Sequence, residues 1–277
     1  MSLERVTNDR APEFNPRVGP DGRTLLFHTV DRSKSGTEAY SVAAVAMGQG
    51  GRDLLAGPNA WGATWTPDGS IIYVYGGAGR PLLVSTTYAG AGMTYVSPSA
   101  MGSFDTAPDV SPTGERIAFQ TSVGGITRIC TVGITGRPFT VYAEGTNPSW
   151  HPSANKLAFS KQVGPFSQVF ALNLSSGQVT QVTTGDHDSS LPDWSPDGEG
   201  IVFASNRDGG MWHIFTMKSD GSSVTQLTHG AAEAGWPHWS DDGWIYFASN
   251  AGAPRPTDRD PTNWSFSNIW RAKPAAT

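Results

Sequence analysis

The chain has 277 residues, a net charge of −5, only five Lys and no basic run, so a nucleic-acid partner, which needs clustered cations facing phosphate, is excluded. No apolar stretch approaches membrane length, and Cys130 is the single cysteine, which leaves no internal disulfide or cysteine metal site. The 33 Gly and 20 Pro stand beside ten Trp and twelve Phe, a turn-rich composition with ample material for a core.

In chain order, a short strand over residues 3–7 comes first, and a phrase that recurs six times follows it. The copies are NPRVGPDGRTLLFHT from Asn15, GATWTPDGSIIYVYG from Gly62, APDVSPTGERIAFQT from Ala107, NPSWHPSANKLAFSK from Asn147, LPDWSPDGEGIVFAS from Leu191 and WPHWSDDGWIYFAS from Trp236. Their second residues (Pro16, Ala63, Pro108, Pro148, Pro192, Pro237) serve as markers, spaced by 47, 45, 40, 44 and 45 residues, a period that signals stacked supersecondary units.

Within each unit, Pro-Asp-Gly or a variant supplies a fixed φ, a side chain that bonds its own backbone and a residue able to take φ > 0, which together make a tight turn. One strand therefore ends before the turn and a second begins after it, as in RIAFQT and GIVFAS. A third follows (AYSVAAV, PLLVSTTY, TRICTVGI, SQVFALNL, HIFTMKS, NIWRAKP), and a Gly-rich turn leads to a fourth (RDLLAG, MTYVSP, FTVYAE, QVTQVT, SVTQLT). Four strands per unit and six units predict an all-β, six-bladed β-propeller, with residues 1–277 as a single domain and the chain as a monomer.

The last unit stops at its third strand, and the N-terminus supplies the fourth. LERVTNDRAPEFNPRVGPDG aligns with VTQLTHGAAEAGWPHWSDDG, placing Val6, Pro16, Asp21 and Gly22 on Leu227, Pro237, Asp242 and Gly243. Residues 3–7 are thus expected to complete blade six and close the ring. Val18, Trp65, Val110, Trp150, Trp194 and Trp239, two places after each marker, are expected to pack between blades. Cys130 is read as a small buried apolar residue.

The phrase PDWSPDGEGIVFASNRDG, continued by HIFTMKSDGSSVTQLT, resembles the repeat of the TolB-type β-propellers (PD40, WD40-like), and the similarity runs over residues 3 to 273. It implies the fold; function is not implied, because propellers serve both as binding platforms and as enzyme scaffolds. TolB itself resembles an α/β domain followed by a propeller, and only the propeller has a counterpart here. The resemblance also implies a periplasmic or secreted setting, which requires a leader that these residues do not contain. The single cysteine suits either redox compartment, so the cytoplasm stays open.

In a four-strand meander the Pro-Asp-Gly turns and both termini share one end, and the connections between blades share the other with the second-to-third-strand loops. This second end holds the richer chemistry. The connections carry Glu13, Asn59, Asp105, Glu144, Asp188 and Glu233, each three or four residues before a marker. Carboxylates meeting at one channel mouth repel unless a cation joins them, so Glu13, Asp105, Glu144, Asp188 and Glu233 are candidate ligands of calcium or magnesium. The alternative is that each acid caps its own loop. Candidate ligand-binding residues are the aromatics Phe14, Trp61, Phe104 and Trp236, together with Arg17, Asp109, Asp193 and His238 on the innermost strands. An insertion at residues 250–268 belongs to the same end.

Enzyme motifs are missing: the chain has no G-x-S-x-G, no H-E-x-x-H, no phosphate loop and no G-x-G-x-x-G after a strand. His187, His229 and His238, with Asp188 or Asp193, leave one enzymatic alternative, a metal-dependent polysaccharide lyase of the propeller-type oligogalacturonate lyase kind. The leading expectation is a non-enzymatic binding module that holds a protein or peptide segment, or a glycan, at the channel mouth.

Overall fold

The computed structural model describes residues 3–8, 11–49, 51–77, 80–87, 92–97, 104–252 and 267–274. Six four-stranded antiparallel sheets are arranged as blades, and among the described residues the one helical element is a 3-10 turn at Gly36–Ala39. The first strands of the blades are Glu13–Val18, Ala60–Trp65, Phe104–Val110, Thr146–Trp150, Ser189–Trp194 and Ala234–Trp239. Each forms the inner edge of its sheet.

The turns after these strands form for the reason the sequence gives. Asp21 Oδ1 accepts the main-chain N–H groups of Arg23 and Thr24 at 2.9 Å, and Gly22 takes φ 64°, which a side chain would resist. Asp68, Asp197 and Asp242 each accept the N–H two residues on, at 3.0, 2.9 and 3.0 Å.

Each apolar cluster spans two neighbouring blades, so the core is divided into six inter-blade layers. Trp150 packs with Ala118 and Ile129 of the preceding blade, and Trp194 packs with Ala158 and Val169. Trp65 and Trp239 lie against the equivalent layers, as do Val18 and Val110. Cys130 is fully buried in one of them, and its thiol is pushed up to about 12, chiefly by burial.

The ring closes through the N-terminal strand. Leu3–Arg5 pairs antiparallel with Asn268–Ala272, in the register Leu3 to Ala272, Glu4 to Arg271 and Arg5 to Trp270. The strand is shorter than the expected 3–7 because the ladder breaks after Arg5: the N–H groups of Val6 and Thr7 both reach the Ile269 carbonyl, at 2.8 and 3.2 Å. Thr7 Oγ1 accepts the Ile269 N–H at 2.9 Å and donates to Glu13, tying the closing strand to the first blade.

One feature of all six blades is invisible in the repeat phrase. Each innermost strand carries a bulge, with register breaks between Phe14 and Arg17, Trp61 and Thr64, Thr106 and Asp109, Thr146 and Ser149, Ser190 and Asp193, and Gly235 and His238. The residue inside the bulge is left-handed every time: Asn15, Gly62, Ala107, Asn147, Leu191 and Trp236 have φ between 51° and 57°. In five blades the next residue is proline, which has no N–H for the ladder to lose, so the extra residue disrupts little pairing.

Candidate functional site

The bulges aim their residues at the propeller axis. Asn15, Gly62, Ala107, Asn147, Leu191 and Trp236 ring a cavity of about 220 Å³ at the connection end, which Arg17, His28, Trp61, Thr106 and Gln120 also line. Its walls are chemically unequal. On blades six, one and two an aromatic arc runs without a break: Trp236 meets Phe14 edge-on at 5.1 Å, Phe14 stacks on His28 at 5.2 Å, His28 meets Tyr40 at 6.0 Å, and Tyr40 meets Trp61 at 6.0 Å. Facing it, blades three and four present Thr106, Gln120 and Asn147, with the Gln120 side-chain carbonyl accepting the Asn147 main-chain N–H at 2.8 Å.

His28 stands in the middle of the arc. Burial pushes its ring down to about 4, so the imidazole is neutral at ordinary pH, and its Nδ1 is buried without a hydrogen-bond partner. A second space of about 390 Å³ lies between blades five and six, lined by Ser190, Ala204, Trp212, Ala234 and Gly235. It shares Asn147, Leu191 and Trp236 with the axial cavity, so the two spaces adjoin at these side chains.

Beneath the mouth, toward the Pro-Asp-Gly turns, lies a third space of about 280 Å³ lined by Thr64, Asp109, Asp193 and His238 and by Trp65, Trp150, Trp194 and Trp239. Arg17 lines both spaces. Asp193 is held three ways: Oδ1 accepts Ser149 Oγ at 2.6 Å, and Oδ2 faces His238 Nδ1 at 2.8 Å and accepts the Trp239 N–H at 3.0 Å. Burial alone would raise its pKa, but the His238 hydrogen bond and charge, Arg17 and Ser149 together hold it below the ordinary value. Asp109 takes the opposite course. Burial raises it to about 7, Asp193 adds repulsion, and Arg17 with the Trp150 N–H opposes the rise.

The structure places the expected residues as follows. Phe14, Trp61 and Trp236 come together in the arc, Arg17 lies at its base, and Asp109, Asp193 and His238 lie below it. Phe104 does not join them: it is 54% exposed at the start of its strand, opposite Ser122. His28, Tyr40, Asn15, Gln120 and Asn147 line or build the site and were absent from the expectation. Of the insertion at 250–268, residues 253–266 lie outside the described residues.

The carboxylates do not form the expected ring around a cation. Among the described residues no three His, Cys, Asp or Glu side chains are grouped to hold a metal ion. Most of these acids instead turn into their own connections. Asp188 accepts the Ser167 N–H of the preceding blade at 2.8 Å and Asn206 Nδ2 at 3.1 Å. Glu233 repeats the arrangement, accepting the Trp212 N–H at 2.7 Å, while its own N–H donates to Asn250 Oδ1 at 2.9 Å. Glu13 is bonded by Thr7 and stands 4.0 Å from Arg52, and Asp105 accepts Thr121 Oγ1 at 2.6 Å. Glu144 is exposed and pairs in register with Arg128. Asp188, Glu233 and Glu13 tie one blade to the next, while Asp105 and Glu144 face partners within their own blade. Among the described residues His238 pairs with Asp193, and no group of three His, Cys, Asp or Glu side chains includes His187, His229 or His238.

Residues 140–255 match the TolB beta propeller domain family, PD40. No curated protein matches the chain. Among solved structures, a TolB-designated protein of Agrobacterium tumefaciens is 22% identical with a TM-score of 0.65, covering 82% of this chain and 78% of its own. TolB of Acinetobacter baumannii is 15% identical with a TM-score of 0.71, covering 91% of this chain, which spans only 64% of that protein. An oligogalacturonate lyase in complex with manganese is 13% identical with a TM-score of 0.62 and covers 99% of this chain and 93% of its own. At such identities the likeness concerns the fold, which binding proteins and enzymes share. The six closed, four-stranded blades make this chain a six-bladed β-propeller, one whose residues 140–255 match the TolB propeller family and whose fold is similar to that of TolB.

Proposed function

We propose that the propeller is a non-enzymatic binding module of the bacterial envelope or exterior, which takes a protein or peptide segment, or a glycan, into the mouth of its axial channel at the connection end. One observation carries this reading. Six bulged strands converge on a cavity that Trp236, His28 and Trp61 line on one side, joined from behind by Phe14 and Tyr40, and whose other side offers amides. Rigid aromatics beside a few fixed polar groups give contact area at low ordering cost and set orientation. The opposite end has stereotyped turns whose residues answer to backbone demands, such as Asp21 and Gly22.

The TolB-type resemblance supports this setting. Among the described residues no helix is long and apolar enough to cross a membrane. Capture from an envelope extract of the source cells tests the site. Wild type and Asp21→Ala, on the turn end, should retain the same partner, and the Trp61→Ala, Trp236→Ala double variant should lose it. Equal capture by the double variant would remove the mouth as the binding site.

A further inference from the structure

We infer that the group seated in the axial cavity is an uncharged sugar ring, the end of an oligosaccharide whose next unit lies in the depression between blades five and six. The inference rests on the proposal that the mouth is the binding face, and it names what binds there.

A pyranose ring has an apolar C–H face and hydroxyls that both donate and accept. The cavity matches both halves. Trp236 and Trp61 stand on the two ends of the arc and offer ring surface, while Asn15, Gln120 and Asn147 carry the only side-chain amides in the lining. An amide presents a donor and an acceptor side by side, as a pair of neighbouring hydroxyls requires. The Gln120 carbonyl is engaged by Asn147 N–H, which fixes the side chain in place.

A peptide main chain fits less well. An extended peptide that pairs with a strand edge does so through backbone donors and acceptors in alternation. Here Pro16, Pro108, Pro148, Pro192 and Pro237 follow five of the six bulge residues, so at those positions the inner ring offers a peptide carbonyl no N–H.

The charge pattern favours a neutral sugar over a uronic acid. Among the described residues no carboxylate lines the mouth, and His28 is neutral there. Arg17 is the one permanently charged side chain among the described residues of the lining, and Asp109 and Asp193 interact with it from below. The cavity of about 220 Å³ has room for one ring, and the adjoining 390 Å³ continues past Leu191 and Trp212, which gives a second unit a place and makes a chain end a better occupant than a free monosaccharide.

The test is a glycan array carrying neutral and uronate-containing oligosaccharides, probed with labelled full-length protein, followed by calorimetric titration of the best binder. Neutral oligosaccharides of two or more units should bind. Trp61→Ala should weaken the interaction at least tenfold, and so should Asn15→Gly, which keeps the left-handed backbone at the bulge and so guards against misfolding. A preference for uronates overturns the assignment of an uncharged ligand. An array without binders overturns the sugar assignment, and the mouth survives as a binding site if the extract partner is still captured in a Trp61- and Trp236-dependent way. Loss of both signals removes the site itself.

Discussion

Asp109 and Trp150, on neighbouring blades, are joined twice: Asp109 Oδ2 accepts the Trp150 main-chain N–H at 2.7 Å, and the Asp109 main-chain carbonyl accepts the Trp150 indole N–H at 2.9 Å. The same device appears in part elsewhere, with the Trp65 indole on the Arg17 carbonyl at 3.0 Å and the Trp239 N–H on Asp193 at 3.0 Å. The tryptophans that fill the inter-blade layers therefore also lock the register of one blade against the next.

Asp109 makes this lock pH-sensitive. Its folded-state pKa of about 7 lies above the ordinary 3.8, so the folded chain holds a proton that the unfolded chain has released. The associated stability is fully present below about pH 4 and is lost as pH rises through 7. Asp109→Asn keeps an acceptor for Trp150 and removes the titration. Its melting temperature should fall less than that of wild type between pH 5 and pH 8, and parallel pH profiles would show that Asp109 ionises normally. Asp109→Ala should cost about 1–3 kcal/mol, because the Trp150 N–H loses its partner.

His28 acts on the acid side. Its ring is held at about 4 by burial, below the ordinary 6.5, so its contribution is present above about pH 6.5 and is lost as pH falls toward 4. Replacing His28 with Gln should flatten the acid limb of the stability profile, as measured by thermal melts from pH 7 to pH 4. An unchanged acid limb would place the sensitivity elsewhere.

Removing residues 1–7 takes away the strand paired with Asn268–Ala272 and the Thr7 contacts to Ile269 and Glu13. At about 1 kcal/mol per hydrogen bond, several are lost at once and a sheet edge is bared. The melting temperature should fall by roughly 10 °C, and a truncated protein melting with the full chain would contradict closure by the N-terminus.

Glu233 separates the staple from a cation site. Burial raises its pKa, and one oxygen holds the Trp212 N–H. Glu233→Gln preserves that acceptor and should leave the melting temperature within a few degrees of wild type, whereas Glu233→Ala should cost about 1–3 kcal/mol. If Gln destabilised as much as Ala, and added calcium raised the melting temperature of wild type alone, the carboxylate would be a metal ligand after all.

The sixfold phrase made the blades, their order and the closing strand legible, because tight turns and inter-blade packing each demand particular residues at particular spacings. The bulges were hidden. Asn15, Ala107, Leu191 and Trp236 do not announce a positive φ, and a left-handed residue before proline is unusual, so nothing pointed these side chains at the axis. That is why the placing of Asn15 and Asn147 at the axis escaped notice. The acids were misread for a related reason, since spacing brings them to one end without saying which way each side chain turns. The overlooked signal was the Ser-Asn pair that ends the second strand of blades five and six: Asn206 donates to Asp188, and Asn250 accepts from the Glu233 N–H.

Binding at the mouth is tested most directly by the indole N–H resonances of the ten tryptophans in a two-dimensional NMR spectrum, assigned by single substitutions and followed as the captured partner or the array-selected oligosaccharide is added. Trp61 and Trp236 line the mouth, while Trp65, Trp150, Trp194 and Trp239 line the space at the turn end. The account predicts that the Trp61 and Trp236 signals shift or broaden in proportion to saturation while the other four stay in place. Movement of Trp65, Trp150, Trp194 or Trp239 with Trp61 and Trp236 unchanged would contradict it and put the ligand at the turn end.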